Sequence, residues 1–270
     1  MEKFGFIGAG NMGLPLLKGA ISLCGVENCR FYTPVQEEVE RVSKITGAES
    51  CVNNIQLVNN CEYIVICVKP QFIGDVFNDL KKTDLSEKII ISIAAGVTSE
   101  TIRESLGKKT KIVRIMPNTP ACVGEGMACV TFPEESNLTE ENKKTVLALF
   151  NQVGKAEVIP ESLMNAAVCA NGSSPAYVYM FIEALADSVV KYGIPRKLAY
   201  TLAAQTVLGS AKMVLESDLH PGALKDNVCS PGGTTIAAVE KLEEYGFRNA
   251  IMKATDACYE KSVELGKKKA

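Results

Sequence analysis

The sequence predicts an α/β domain over residues 1–160 followed by an all-α domain over residues 161–270. Three observations predict it. The first part alternates short apolar strands with helical periods, the pattern of a parallel sheet covered on both faces. A G-x-G-x-x-G turn directly follows the first strand and opens the first helix. After Pro160 the strand signal ends and only helical periods remain. At about 150 residues per domain, a chain of 270 residues suits two domains.

The elements follow in order. Lys3–Ile7 reads as a short apolar strand. Asn11–Leu23 reads as a helix, with Met12, Leu16, Leu17, Ala20 and Leu23 at helical spacing and a stop at Gly25. Cys29–Thr33 is a second strand, Glu37–Ile45 a second helix, and Tyr63–Val68 a buried strand with no polar alternation. Ile89–Ile93 and Ile112–Ile115 repeat the strand pattern, with helical segments near Phe72–Leu80 and Ser99–Leu106. A strand near Met127–Thr131, a helix near Glu140–Asn151 and a strand near Ala156–Ile159 complete a doubly wound sheet of the Rossmann type.

The second part reads as helices at Ser162–Ala170, Pro175–Tyr192, Arg196–Glu216, Thr234–Tyr245 and Phe247–Leu265. Pro175 suits a first helical turn, and Gly193-Ile-Pro195 separates two helices. The helices from Pro175 and from Arg196 are apolar on every face, so they need cover on every face. We expect a second copy of the chain to supply it, in an intertwined homodimer; the alternative is packing against the first domain.

Composition narrows the function. A net charge of -2 and the lack of an aromatic-basic stripe argue against nucleic acid. No apolar run approaches the ~20 residues of a membrane span, and the N-terminus has no signal-peptide pattern. The single histidine, His220, excludes a multi-histidine metal site within one chain. The ten cysteines contain no C-x-x-C pair, and several lie in apolar runs, such as Cys67 in YIVICV. They read as reduced structural thiols, with no metal, in a cytoplasmic protein.

Three features carry chemistry. In Gly8-Ala9-Gly10-Asn11-Met12-Gly13, Gly8 permits the turn, Gly10 clears space for a pyrophosphate, and Gly13 allows close helix–strand packing. The helix start offers free amides to the phosphates. Thr33 ends the second strand, where NAD-preferring sites place a carboxylate. No carboxylate stands there to repel a 2′-phosphate, and the Thr33 hydroxyl suits one. No arginine follows at once, with Arg41 and Lys44 a helix turn or two away, so NADPH is favoured with NADH as the alternative, against the plainer reading of Thr33 as a strand-end residue. Loops at Val68-Lys69-Pro70-Gln71, Ala94-Ala95-Gly96 and Met116–Pro120 fall at the carboxyl ends of strands, where open α/β sheets bind ligands. Lys69 is a ligand cation or a solvated loop lysine, and Asn118 holds a turn or binds a carboxamide. The last feature is Ser230-Pro-Gly232-Gly233-Thr234-Thr235 opening a helix. It reads as an anion cradle of amides and hydroxyls for a small carboxylate or phosphate, against the plainer reading of a helix cap.

On FIGAGNMG, the VKPQ and AAGVT loops, RIMPNTP, SSPAYVY and above all LKDNVCSPGGTTIAAVEKLE, the whole chain resembles the pyrroline-5-carboxylate reductase family. The resemblance implies a Rossmann domain, a helical dimerisation domain, homodimers that can assemble further, and reduction of 1-pyrroline-5-carboxylate by NAD(P)H to L-proline. It implies that Ile7 to Met12 hold the pyrophosphate, Thr33 sits at the ribose 2′ position, and Asn54 lies near the adenosine. Val68, Lys69, Pro70, Ala95, Gly96 and Asn227 would border the cofactor. Ser230, Gly232, Gly233, Thr234 and Thr235 would form the substrate loop, with Thr235 nearest the ring nitrogen. The two pockets would face each other across a domain seam. One departure is Ser174, where relatives often carry glycine. The competing classes are a β-hydroxyacid dehydrogenase, with Lys191, Lys197 or Lys212 as acid, and an NADPH-sensing regulator without catalysis.

Overall fold

A computed structural model describes residues 3–267. Eight strands form one sheet in the order β3-β2-β1-β4-β5-β6-β7-β8. They are β1 (Phe4–Ile7), β2 (Cys29–Tyr32), β3 (Glu49–Ser50), β4 (Tyr63–Ile66), β5 (Ile89–Ser92), β6 (Lys111–Met116), β7 (Gly126–Thr131) and β8 (Gly154–Val158). All neighbours run parallel except β6 and β7. The link over 117–125 is too short for the crossover of about a dozen residues that a parallel return needs, so β7 comes back antiparallel. Residues of β1, β4 and β5 are buried throughout, as continuous apolar strands between two helical layers must be.

Helices α1 (Gly13–Cys24), α2 (Gln36–Thr46), α3 (Asn54–Asn60), α4 (Ile73–Leu80), α5 (Ser99–Leu106) and α6 (Glu140–Asn151) cover the sheet. Two cores result, one with Phe6, Leu16, Val65 and Phe150, the other with Leu57, Ile64, Phe77 and Ile102. The sequence reading has no counterpart for β3 or α3. The segment NNIQLVNN is mostly polar, and only Asn54, Leu57 and Val58 of α3 are buried. Leu57 takes the space a side chain on Gly5 would fill, and Asn53 caps the helix by accepting from the Gln56 amide.

The chain falls into two compact units, one holding the chain up to Ser173 with the C-terminal segment from Cys258, the other Ser174–Ala257. The switch to helices near residue 160 therefore precedes the division between units. After a turn at Glu161–Leu163, α7 (Met164–Ala167) continues into one π-helical turn, Val168–Gly172. Met164 packs on Met116 and Cys129, which ties these helical residues to the sheet. The second unit contains α8 (Ser174–Val190), α9 (Arg196–Glu216), α10 (Pro221–Val228) and α11 (Thr234–Glu244). α10 is a helix the sequence reading lacks; Pro221 supplies its first residue and His220 its cap. The last helix, α12 (Phe247–Lys267), starts in the second unit and ends in the first.

The second unit has little interior of its own. Ala186, Ala199 and Ala203 are buried where α8 meets α9. Met180 and Leu215, by contrast, are 68% and 69% exposed. Tyr177, Val178, Phe181, Val207, Val214 and Ile251 line an apolar cleft of about 580 Å³.

Candidate active site

The direction of chain progression across the sheet reverses between β1 and β4, and there the ends of the two strands open a crevice. The strand ends are tied together: the Cys67 amide donates to the Ile7 carbonyl at 2.8 Å, and the Gly8 amide to the Tyr32 carbonyl at 2.8 Å. Ile7 itself is buried beneath the turn. Gly8 has φ +89°, and a Cβ there would stand 3.2 Å from the Cys67 carbonyl oxygen. A Cβ on Gly13 would stand 2.1 Å from the Gly8 carbonyl oxygen, so only glycine lets α1 start so close to the strand. Gly10 is the opposite case, since a Cβ there would meet nothing within 4 Å. Among the described residues, the amides of residues 9–13 donate to no backbone acceptor. An open space beside a run of unengaged amides at a helix start fits a pyrophosphate. Ala9 is buried and Asn11 exposed, and the exposed Cys122 thiol donates to the Asn11 carbonyl oxygen at 3.5 Å.

At the end of β2, Thr33 is only 5% exposed. Its hydroxyl donates to Glu38 Oε2 at 3.0 Å. The sequence reading sees no carboxylate at this strand end; the fold supplies one, because the first turn of α2 carries Glu38 back over Thr33. Arg41 and Lys44 are exposed on the same helix. Asn54 is buried, its Nδ2 donating to Asp79 Oδ2 at 3.1 Å, and its Oδ1 has no partner among the described residues. Hydrogen bonds from Lys82 and from Asn54 hold the Asp79 carboxyl below its ordinary range.

The remaining strand-end loops divide. Val68 is half-buried and Lys69 exposed, and Pro70 opens a tight turn closed by the Phe72 amide on the Lys69 carbonyl. Ala95 is half-buried. Gly96 has φ +74°, and its free side faces Leu265 of α12, whose Cβ would lie 3.3 Å from a Cβ on Gly96. The small residue at 96 thus makes room for α12 as well as for the loop. Asn118 is consumed by structure: Nδ2 donates to the Asn171 carbonyl at 3.1 Å, and Oδ1 accepts from the Met127 amide at 2.8 Å. Of its two readings, the turn is the one the contacts match.

One group had no signal in the sequence reading. Glu161 accepts from Ser99 through both amide and hydroxyl, and from Arg114 at 3.0 Å. Burial opposes its ionisation, but these donors hold its carboxyl below the usual range. Burial also pushes the Cys61 thiol up to about 12 and, with the hydrogen bond its S–H gives to Cys258, the Cys169 thiol to about 11, which makes them poor nucleophiles. Among the described residues no group of three or more His, Cys, Asp or Glu could hold a metal.

The second unit carries the other loop. His220 Nδ1 accepts from the Gly222 amide at 3.0 Å and so caps α10, an exposed structural role. Asn227 lies exposed in the last turn of α10. Ser230 to Gly233 form a turn closed by the Gly233 amide on the Ser230 carbonyl at 3.0 Å, with Gly232 at φ +66°. Gly233 is the N-cap of α11, and no side chain caps this helix. The plain capping reading of Ser230, Thr234 and Thr235 therefore has no hydrogen bond behind it. The amides of Thr234, Thr235 and Ile236 donate to no acceptor among the described residues. A Cβ on Gly233 would stand 2.3 Å from Ser230 Oγ, so the Ser230 side chain lies directly beside the start of α11.

Residues 161–265 match the family model described as pyrroline-5-carboxylate reductase dimerisation. The chain is 46% identical over 268 residues to the pyrroline-5-carboxylate reductase of Escherichia coli (strain K12), covering 98% of this chain and 99% of that one. The chain belongs to the pyrroline-5-carboxylate reductase family. The family reaches across kingdoms: the Methanosarcina acetivorans reductase is 43% identical over 99% of both chains. A crystal structure of Plasmodium falciparum pyrroline carboxylate reductase with NADP bound superposes with a TM-score of 0.88 at 38% identity, covering 98% of each chain. Residues 3–96 also match a model described as NADP oxidoreductase, coenzyme F420-dependent.

Proposed function

We propose that this member of the pyrroline-5-carboxylate reductase family reduces 1-pyrroline-5-carboxylate to L-proline with NAD(P)H, the last step of proline synthesis. The observation that carries this is the full-length identity of 46% to a reductase of that name. The NADP in the Plasmodium falciparum structure supports the cofactor class.

The nicotinamide cofactor supplies the hydride. The chain's own residues bind and orient. The unengaged amides of residues 9–13 bind the pyrophosphate, and the loops at Thr33, Asn54, Val68–Pro70 and Ala95–Gly96 border the rest of the dinucleotide, with Asn227. The amides of Thr234 and Thr235 hold the substrate carboxylate, helped by Ser230 and the turn at Gly232-Gly233, and the Thr235 hydroxyl orients the ring nitrogen. A protonated imine is already electrophilic, so placement replaces a strong general acid. That division of labour agrees with His220 being spent on a helix cap. The lysines a hydroxyacid dehydrogenase would need are engaged elsewhere or exposed: Lys191 stacks on Tyr192, Lys212 pairs with Glu216 at 3.6 Å, and Lys197 faces solvent.

The apolar cleft and the exposed faces of α8 and α9 support a homodimer through the helical part, consistent with the matched dimerisation model. No helix among the described residues is long and apolar enough to cross a membrane. The free cysteines suit a reducing cytoplasm. The test is a continuous assay of NADH and NADPH oxidation with 1-pyrroline-5-carboxylate. Turnover with either cofactor supports the reading. Turnover only of a hydroxyacid with the oxidised cofactor, or none of any substrate, contradicts it.

A further inference from the structure

We propose that Glu38 is the residue that reads the ribose 2′ position of the dinucleotide, and that it favours a 2′-hydroxyl over a 2′-phosphate; this rests on the NAD(P)H reading above. In a doubly wound sheet the adenosine ribose meets the carboxyl end of the second strand. Here that end is Tyr32-Thr33, tied to the phosphate turn by the Gly8 amide on the Tyr32 carbonyl at 2.8 Å. Glu38 stands in the first turn of α2, half-buried, and accepts the Thr33 hydroxyl at 3.0 Å.

A glutamate at this helical position often reaches back to the N-cap amide and closes a capping box. α2 has no such box: its N-cap is Val35, with no side-chain cap. The carboxylate is instead turned onto the strand end. Two consequences follow for a group at the 2′ position. The one proton of the Thr33 hydroxyl is already donated, so Thr33 offers only lone pairs. The Glu38 carboxylate likewise only accepts, and it carries charge. Both groups can accept from a ribose hydroxyl, and the Glu38 charge repels a phosphate. Arg41 follows one turn later and is exposed, in no ion pair among the described residues. It offsets part of the repulsion, so the ratio of affinities is set by Glu38 against Arg41 rather than by Thr33.

The test is titration calorimetry of NADH and NADPH, without substrate, into the wild type, Glu38→Gln and Glu38→Asp, with each variant's fold checked by thermal melting. The wild type is expected to bind NADH at least as tightly as NADPH. Removing one partly screened charge in Glu38→Gln is expected to shift the ratio about tenfold toward NADPH. Glu38→Asp keeps the charge and shortens the reach, and is expected to hold the ratio nearer the wild type. A folded Glu38→Gln whose ratio is unchanged, with only its melting temperature altered, makes Glu38 a structural staple and overturns the proposal. If Glu38→Gln does not fold, a wild type that prefers NADPH tenfold or more overturns it instead. Binding of neither nucleotide by the wild type overturns the cofactor reading itself.

Discussion

Gly13 stands so close to Gly8 that a Cβ on the first would lie 2.1 Å from the carbonyl oxygen of the second. Gly10, between them, faces open space. The two positions separate stability from binding. Gly13→Ala is expected to cost about 1–3 kcal/mol of stability through overpacking, and to weaken dinucleotide binding as the turn shifts. Gly10→Ala is expected to change stability by less than about 0.5 kcal/mol, since its methyl meets no protein atom. It should still lower dinucleotide affinity about tenfold or more, because the methyl occupies the phosphate's space. Chemical denaturation and calorimetry on both variants check this. Equal losses of stability would contradict it.

Thr235 sits at the start of α11 with its amide and hydroxyl unengaged among the described residues. Thr235→Ala is expected to leave the fold and NADPH affinity unchanged and to lower kcat by about a hundredfold, the size of effect seen when one preorganised donor is removed. Thr235→Ser should recover much of the rate. Near-normal kcat/KM in the alanine variant would remove Thr235 from the mechanism.

Arg114 is 4% exposed and leans on Glu161. Glu161→Ala leaves that guanidinium buried and unpaired, and is expected to cost about 3 kcal/mol. The pH dependence has a definite sign. The folded state holds Glu161 below its ordinary value, so its contribution is full above that value, about 4.3, and is lost as pH falls through the lower folded-state value. Wild-type stability should therefore decline on acidification in this range more steeply than that of Glu161→Gln. Parallel curves of stability against pH would show that the glutamate contributes nothing by its charge.

Met180 and Leu215 are exposed on α8 and α9. If a second copy covers them, Met180→Glu or Leu215→Glu should shift the protein to monomer in analytical ultracentrifugation, because each buries an unpaired charge in the dimer. A variant that sediments as the wild type does would place the interface elsewhere.

The parts of the fold that sequence made legible are those where one local pattern has one physical cause. The run Tyr63–Ile66 is apolar without alternation because both faces are covered. The glycines at 8, 10 and 13 announce a tight turn, an open space and a close contact. What stayed hidden depends on groups brought together from afar or by geometry that composition does not record. α3 is short and polar, and its burial comes from Leu57 filling the void above Gly5. Glu161 meets Ser99 and Arg114 only once the chain has folded, from positions far apart in sequence. Glu38 lies just five residues beyond Thr33, yet only the turn into α2 places its carboxylate over that hydroxyl. Reading the residue that directly follows the strand overlooks a group delivered by the next helical turn.

The most direct measurement uses nicotinamide cofactor deuterated at the transferable C4 position. Incubation with 1-pyrroline-5-carboxylate and the purified protein should yield proline carrying one deuterium at C5, the former imine carbon, as read by mass spectrometry and NMR. Proline without the label, or no proline while both ligands bind, would contradict hydride transfer by this chain.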